Sequence, residues 1–169
     1  RSSNRSGKEN TEETALFVKG VFLDANVYYS ASRSPSGGSS AICELIKAKK
    51  LTLYTTRQVL LEAERNIRKK ESDSTRVRFY ELVWGLAPKI ITVDKQKAET
   101  DFSKIIDRKD THVLEGARRA RADFLVTLDK KHFLNDRIRR SKLPFEILTP
   151  GELLRKLDPS SSKTFTSLR

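Results

Sequence analysis

The sequence predicts an α/β protein: a three-layer α/β/α sandwich built around a central, mostly parallel five-stranded sheet. Two observations carry that reading. Five short apolar runs alternate along the chain with segments whose apolar residues recur every three or four positions, which is the signature of strands separated by crossover helices. Several of those runs end abruptly in an acid or a helix start, and right-handed crossovers bring such strand ends to one edge of a sheet. The length, 169 residues with 37% hydrophobic content, suits a single core. That core is assigned to residues 15–157, between a polar extension (1–14) with the composition of a disordered segment or a tag remnant and a polar tail (158–169).

The first strand is the apolar run from Gly20 to Leu23, closed by Asp24. Ala25 to Ser32 then starts a helix, and Arg33 to Ser40, rich in Ser, Gly and Pro, reads as a flexible loop able to act as a flap beside a strand-end site. Ile42, Leu45 and Ile46 have helical spacing, with Lys47 to Lys50 at the helix end and Cys43 within the apolar pattern. Leu51 to Tyr54 is a second strand. Thr55 or Thr56 caps the next helix, whose stripe is Val59, Leu60, Ala63 and Ile67. Glu62 and Glu64 flank this stripe on opposite sides, and helical phase does not choose between them. A helix from Ser74 to about Leu86 carries the single Trp84 and stops before Pro88. Ile90 to Val93 is the third strand, and Lys95 to Lys104 a short helix. Asp110 stands where it would cap a helix from Thr111 to Ala122. Phe124 to Thr127 forms a fourth strand running towards Asp129, Phe145 to Leu148 a fifth, and Pro150 opens a closing helix through Leu157.

Charge narrows the class of partner. Lys and Arg total 34 against 22 for Asp and Glu, a net +12, so the chain attracts polyanions, nucleic acid first and an anionic membrane surface second. No run is long and apolar enough for a membrane span and no signal peptide is visible, so a soluble, cytoplasmic protein is expected. With one cysteine, neither a disulfide framework nor a cysteine zinc site can form within the chain.

Asp24, Asp110 and Asp129 all fall at strand ends or helix starts. Taken singly, each has an ordinary explanation as a turn former or helix cap. Together, in so basic a chain, they would repel phosphate unless a hard divalent cation relieved their repulsion. Mg²⁺ or Mn²⁺ suits oxygen ligands, and such an ion lowers the pKa of bound water and neutralises charge growing on a phosphate. An acidic centre within a basic surround describes a metal-dependent nuclease.

Four motifs then match a family. Phe22-Leu23-Asp24-Ala25-Asn26, Thr56-Arg57-Gln58-Val59-Leu60-Leu61-Glu62, Asp107-Arg108-Lys109-Asp110-Thr111-His112-Val113-Leu114 and Leu125-Val126-Thr127-Leu128-Asp129-Lys130 occur in this order. The chain resembles a PIN domain, the nuclease fold of bacterial toxins and RNA-processing factors, from about Val18 to Leu157. The resemblance implies that Asp24, Glu62, Asp110 and Asp129 form the acidic catalytic and metal-holding set, and it selects Glu62 over Glu64. It further implies that Asn26 orients Asp24 or a metal-bound water, that Thr127 hydrogen-bonds within the site, and that Asp107 is an outer acid. Lys130 and Lys131, beside Asp129, are the candidate phosphate contacts. His112 and His132 are assigned no catalytic role, since a helix His facing a sheet and a loop His are more often structural.

The expected activity is therefore Mg²⁺- or Mn²⁺-dependent endoribonucleolytic hydrolysis of single-stranded RNA, as the toxin of a toxin-antitoxin pair. RNA, an antitoxin protein and a second copy of the chain are the partners implied, and exposed Leu61 hints at a contact surface. The competing reading is a non-catalytic RNA-binding or assembly module. A phosphatase would want a second acid at Asn26, and a response regulator a strand-end lysine pattern that is not found.

Overall fold

The computed structural model describes residues 18–160. The extension at 1–14, the start of the domain at residue 15 and most of the tail lie outside those residues. Five strands, β1 (Lys19–Leu23), β2 (Leu51–Thr55), β3 (Lys89–Ile90), β4 (Phe124–Val126) and β5 (Glu146–Leu148), form one sheet in the order β3-β2-β1-β4-β5. Every pairing is parallel, so the sheet is parallel throughout. The central strand, β1, has four of its five residues buried, as a strand covered on both faces must.

Helices α1 (Ala25–Arg33) and α2 (Gly38–Lys47) connect β1 to β2, and α3 (Arg57–Lys70) and α4 (Asp73–Leu86) connect β2 to β3. After β3 the chain crosses back over β2 and β1 to reach β4, and a right-handed crossover in that direction lies on the opposite face. That return carries α5 (Lys95–Phe102), a 3₁₀ turn (Arg108–Asp110) and α6 (Thr111–Arg119). Short helices α7 (Lys130–Phe133) and α8 (Asp136–Arg140) link β4 to β5, and α9 (Pro150–Leu157) returns to pack on α2. Among the described residues no helix is long and apolar enough to cross a membrane.

Helix α6 is the tightest part of the second layer, buried at every residue from Thr111 to Ala117. Its fully buried Glu115 pairs with Arg118, which also reaches Asp101 on α5 and lies over the Phe102 ring, so the two helices are joined by charge as well as packing. Gly116 lets α6 sit against β1: a β-carbon there would stand 2.6 Å from Cζ of Phe22 and 3.1 Å from Cγ2 of Thr56.

Several elements depart from the sequence reading. The expected loop over Arg33 to Ser40 shrinks to residues 34–37, because Gly38, Ser39 and Ser40 already belong to α2 with both serines buried. It lies beyond the C-terminal end of α1, a helix length from Asp24, which removes its role as a flap over that residue. β3 begins at Lys89 and is shorter than expected, although Ile91 N–H still reaches Thr55 O at 2.8 Å. α6 stops at Arg119 rather than Ala122, and α7 and α8 have no counterpart in the sequence reading. Trp84 is 88% exposed on α4.

The Gly116 contact makes a stability prediction. Gly116→Ala should cost about 1–3 kcal/mol in urea unfolding, the usual range for overpacking. Phe22→Leu withdraws the clashing ring atoms, so the double variant should lose less than the two single losses added together. Additive losses would show that the close approach is not what requires glycine.

Candidate active site

The carboxyl ends of β1, β2 and β4 share one edge, and strand order reverses at β1, the place where open parallel sheets form a crevice. Asp24 is the first residue beyond β1, and its N–H donates to Val126 O at 3.0 Å, which joins β1 to β4 at the crevice. The capping explanation of Asp24 is correct as far as it goes, since its Oδ1 accepts the Ala25 N–H at 2.8 Å at the start of α1. Its other oxygen does something else. Oδ2 accepts the Thr127 hydroxyl at 2.7 Å and Asn26 Nδ2 at 3.1 Å. Thr127 Oγ1 accepts from Asn26 Nδ2 at 3.2 Å and from Asp129 N–H at 3.1 Å, while Asn26 Oδ1 accepts the Leu128 N–H at 3.0 Å. Asn26 and Thr127 thus orient Asp24 and tie it to the segment carrying Asp129.

Those bonds do not offset the environment. Burial, outweighing the Thr127 and Ala25 bonds and reinforced by the charges of Glu62 and Asp110, pushes the Asp24 carboxyl up to about 6. Glu62, from α3, is also pushed up, by burial and then by Asp110, against the easing charges of Arg65 and Lys109. Glu64 turns the other way: it accepts from Tyr80 at 2.6 Å and Arg68 at 2.8 Å, and the Tyr80 bond holds its carboxyl below the ordinary range.

Asp110 ends the 3₁₀ turn at the start of α6 but makes no side-chain capping bond, contrary to the expectation of a cap. Asp107 closes that turn instead, accepting the Lys109 N–H at 3.1 Å. Asp110 is left with a buried Oδ2 that has no hydrogen-bond partner. Its carboxyl is pushed up by burial, with Asp129 and Asp107 adding and Lys109 and His132 opposing. Asp129 caps α7, taking the His132 N–H at 3.0 Å on Oδ1, while its Oδ2 lies 2.6 Å from His132 Nδ1. Asp24, Glu62 and Asp110 therefore feel one another, and Asp129 is coupled to them through Asp110.

Three side chains near the acids escaped sequence reasoning as site groups. His132 grips Asp129, and its spacing of three along α7 was the available signal. Lys109 and Arg65 lie near enough to ease the acids, yet in the sequence they look like ordinary surface charges. His112 is buried, with Nε2 at 3.8 Å from Glu62 Oε2, and burial pushes it down to about 4, so it stands beside Glu62 as a neutral ring. Lys130 and Lys131 are both exposed, and the Lys130 charge is felt by Glu152 of α9.

The donors fit a hard cation. All are carboxylate oxygens, one is buried without a partner, and their mutual repulsion is what a divalent ion would remove. Among the described residues, no three Asp, Glu, His or Cys side chains converge into a ready-made cage. Mg²⁺ commonly binds through one or two carboxylates with several waters retained, so an open arrangement suits it.

The family model for the PIN domain matches residues 20–131, a span that contains the candidate residues from Asp24 to Lys131. The chain belongs to the PIN domain family. Members of that family are generally nucleases. Among solved structures, this PIN domain is similar to a chain of VapBC2 from Rickettsia felis, crystallised bound to a DNA fragment from its promoter, with a TM-score of 0.58 and 17% identity. The match covers 77% of this chain and 98% of that one, and at this identity it speaks for the fold. No curated protein matches the chain significantly.

The pH behaviour of Asp24 follows from its environment. Its carboxyl is raised in the folded PIN domain to about 6 from 3.8, so ionisation is easier in the unfolded chain. Stability is then lost as pH rises between those values and is level above them. In cation-free buffer, wild type should lose about 3 kcal/mol relative to Asp24→Asn between about pH 4 and 6. Saturating Mg²⁺ should recover part of that loss. Denaturant curves for both proteins across the window test this, and parallel pH profiles would show that Asp24 ionises without penalty.

Proposed function

We propose that this PIN domain is a Mg²⁺- or Mn²⁺-dependent endoribonuclease that hydrolyses phosphodiester bonds of single-stranded RNA. The observation that carries the reading is the coupling of Asp24, Glu62 and Asp110 at the crevice, each carboxyl pushed up by burial and by acidic neighbours. Such a group is costly in isolation and useful around a cation. Asp24, Glu62, Asp110 and Asp129 would hold the ion, with Asp107 outside them. When bound, the ion supplies an acidified water for attack and neutralises charge developing on the phosphate.

The chain's own side chains have definable parts in this scheme. Thr127 and Asn26 fix the Asp24 carboxylate, and His132 fixes Asp129. Lys109 and Arg65 lower the repulsion among the acids, while exposed Lys130 and Lys131 would contact phosphates beside the centre. The net +12 charge brings a polyanion towards an acidic centre that would otherwise repel it. We further propose a cytoplasmic toxin that pairs with an antitoxin protein and forms a homodimer. The likeness to VapBC2 supports this, together with exposed Leu61 on α3. A second reading, a non-catalytic RNA-binding or assembly module, draws on the same net charge, which serves binding whether or not the strand is cut.

Cleavage of a mixed RNA pool separates the two. With Mg²⁺ or Mn²⁺ the wild type should cut, EDTA should stop it, and Asp24→Asn should abolish it. Asn26→Ala and Thr127→Val, which keep all four acids but loosen Asp24 and its tie to the segment carrying Asp129, should each lose about 10- to 100-fold in activity or metal affinity. Tight RNA binding without cleavage in either metal, and no metal binding by calorimetry, would establish the non-catalytic module instead.

A further inference from the structure

A cleft of about 470 Å³ leads away from the acidic centre along α1, lined by Asn26, Tyr29, Ser30, Arg33, Ser34 and Leu128. Asn26, Tyr29, Ser30 and Arg33 share one face of the helix by their three- and four-residue spacing. With a rise of 1.5 Å per residue, that face runs about 10 Å from Asn26 to Arg33. At the near end Leu128 stands between Thr127 and Asp129, is 43% exposed, and has its backbone N–H fixed on Asn26 Oδ1. A lone exposed leucine on an open surface needs no explanation. This one forms an apolar wall within a polar site, with its backbone tied to the residue that orients Asp24.

The Tyr29 and Arg33 side chains of the cleft are held in place as well. Glu71, at the end of α3, accepts a hydrogen bond from the Tyr29 hydroxyl, and the Nε of Arg33 lies 3.6 Å from the same carboxylate. One acid thus positions an aromatic ring and a guanidinium together, while the Arg33 side chain stays 66% exposed. An aromatic ring, an aliphatic side chain lining the same cleft and a cation at its far end are the parts of a stacking platform for single-stranded nucleic acid.

We propose that this cleft is a subsite for one unpaired nucleobase of the substrate strand, the base stacking between Leu128 and the Tyr29 ring and the adjoining phosphate meeting Arg33. Tyr29 and Leu128 bind the base without hydrogen-bond readout, so the subsite requires an unpaired base more than a particular one. Glu71 is a positioning residue that acts through Tyr29 and Arg33. The subsite rests on the nucleic-acid substrate proposed above.

Binding of fluorescein-labelled single-stranded RNA octamers to the full chain in EDTA tests it, with one abasic position moved stepwise along the strand. Leu128→Ala and Tyr29→Ala should each weaken binding of the intact octamer by about 5- to 50-fold. At one abasic position the wild type should show a comparable loss, and at that position neither substitution should cost more. Arg33→Gln should reduce the salt dependence of binding by about one unit of slope. Glu71→Gln should give a partial loss with the same pattern. Leu128 and Arg33 are exposed, so their variants keep the core intact and the experiment interpretable. Additive losses at every abasic position, with RNA bound and cut normally, would overturn the subsite alone. Failure of the wild type to bind RNA in EDTA while it still cuts RNA with Mg²⁺ or Mn²⁺ would overturn the subsite alone, and failure to do either would overturn the parent reading as well. Displacement of the strand by an acidic peptide, with the same sensitivity to Leu128→Ala and none to abasic position, would give the cleft to a protein partner and overturn the subsite.

Discussion

The Asp24 carboxylate accepts three hydrogen bonds from its own chain and is still under-compensated. Much of the molecule can be understood from that single imbalance. The bonds come from the start of α1 and from the segment after β4, so the groups that steady the carboxylate also close the junction between the two central strands. The repulsion that the bonds leave comes from Glu62 on α3 and Asp110 before α6, which lie in different layers of the sandwich. A side chain that was only a helix cap would have no reason to be approached from both layers by like charge.

Packing on the second layer keeps this arrangement narrow. Asp110 stands at the head of α6, and α6 can reach the sheet only because Gly116 leaves room for the Phe22 ring. Any outward shift of α6 would carry Asp110 away from the end of β1. The Arg118 contacts to Glu115, Asp101 and Phe102 bind α5 to α6 on the side away from the sheet. Hydrophobic contact and a charge network thereby hold in place a carboxyl whose own surroundings disfavour its charge.

Most of the fold was legible in the sequence because its dominant signal is strong: short buried runs separated by helices with clear stripes. Asp24 and the helix stripes of α3 and α6 could be read directly, whereas the cap of α3 stayed open between Thr55 and Thr56, and it is the Thr56 hydroxyl that accepts the Val59 N–H at 3.2 Å. What failed had local composition opposed by tertiary contact. Gly38, Ser39 and Ser40 look like loop, but they are helical where Gly38 packs near Pro150 of α9. α7 and α8 have too few residues to show a period and begin instead at side-chain caps, Asp129 and Asn135. Periodicity could not separate Glu62 from Glu64, since the difference lies in what faces each: an acidic crevice for one, Tyr80 and Arg68 for the other. The partnerless oxygen of Asp110 is likewise a fact of three dimensions, and the sequence pointed to a cap.

The bond between Thr127 and Asp24 joins residues 103 apart, and the strand that delivers Thr127 is the fourth to be made. During synthesis, β1, β2 and their helices emerge first, with one side of the central strand still lacking its neighbour. Asp24 then has its bond to Ala25 within reach but neither Thr127 nor Asp129, and Asp110 joins only after the first two strands and their helices have been made. A partly translated chain therefore carries Asp24 without Thr127, Asp110 or Asp129 around it. The order of the strands fixes when the crevice is complete: only once β4 and the residues after it have been made do Asp24, Glu62, Asp110 and Asp129 all stand on the chain.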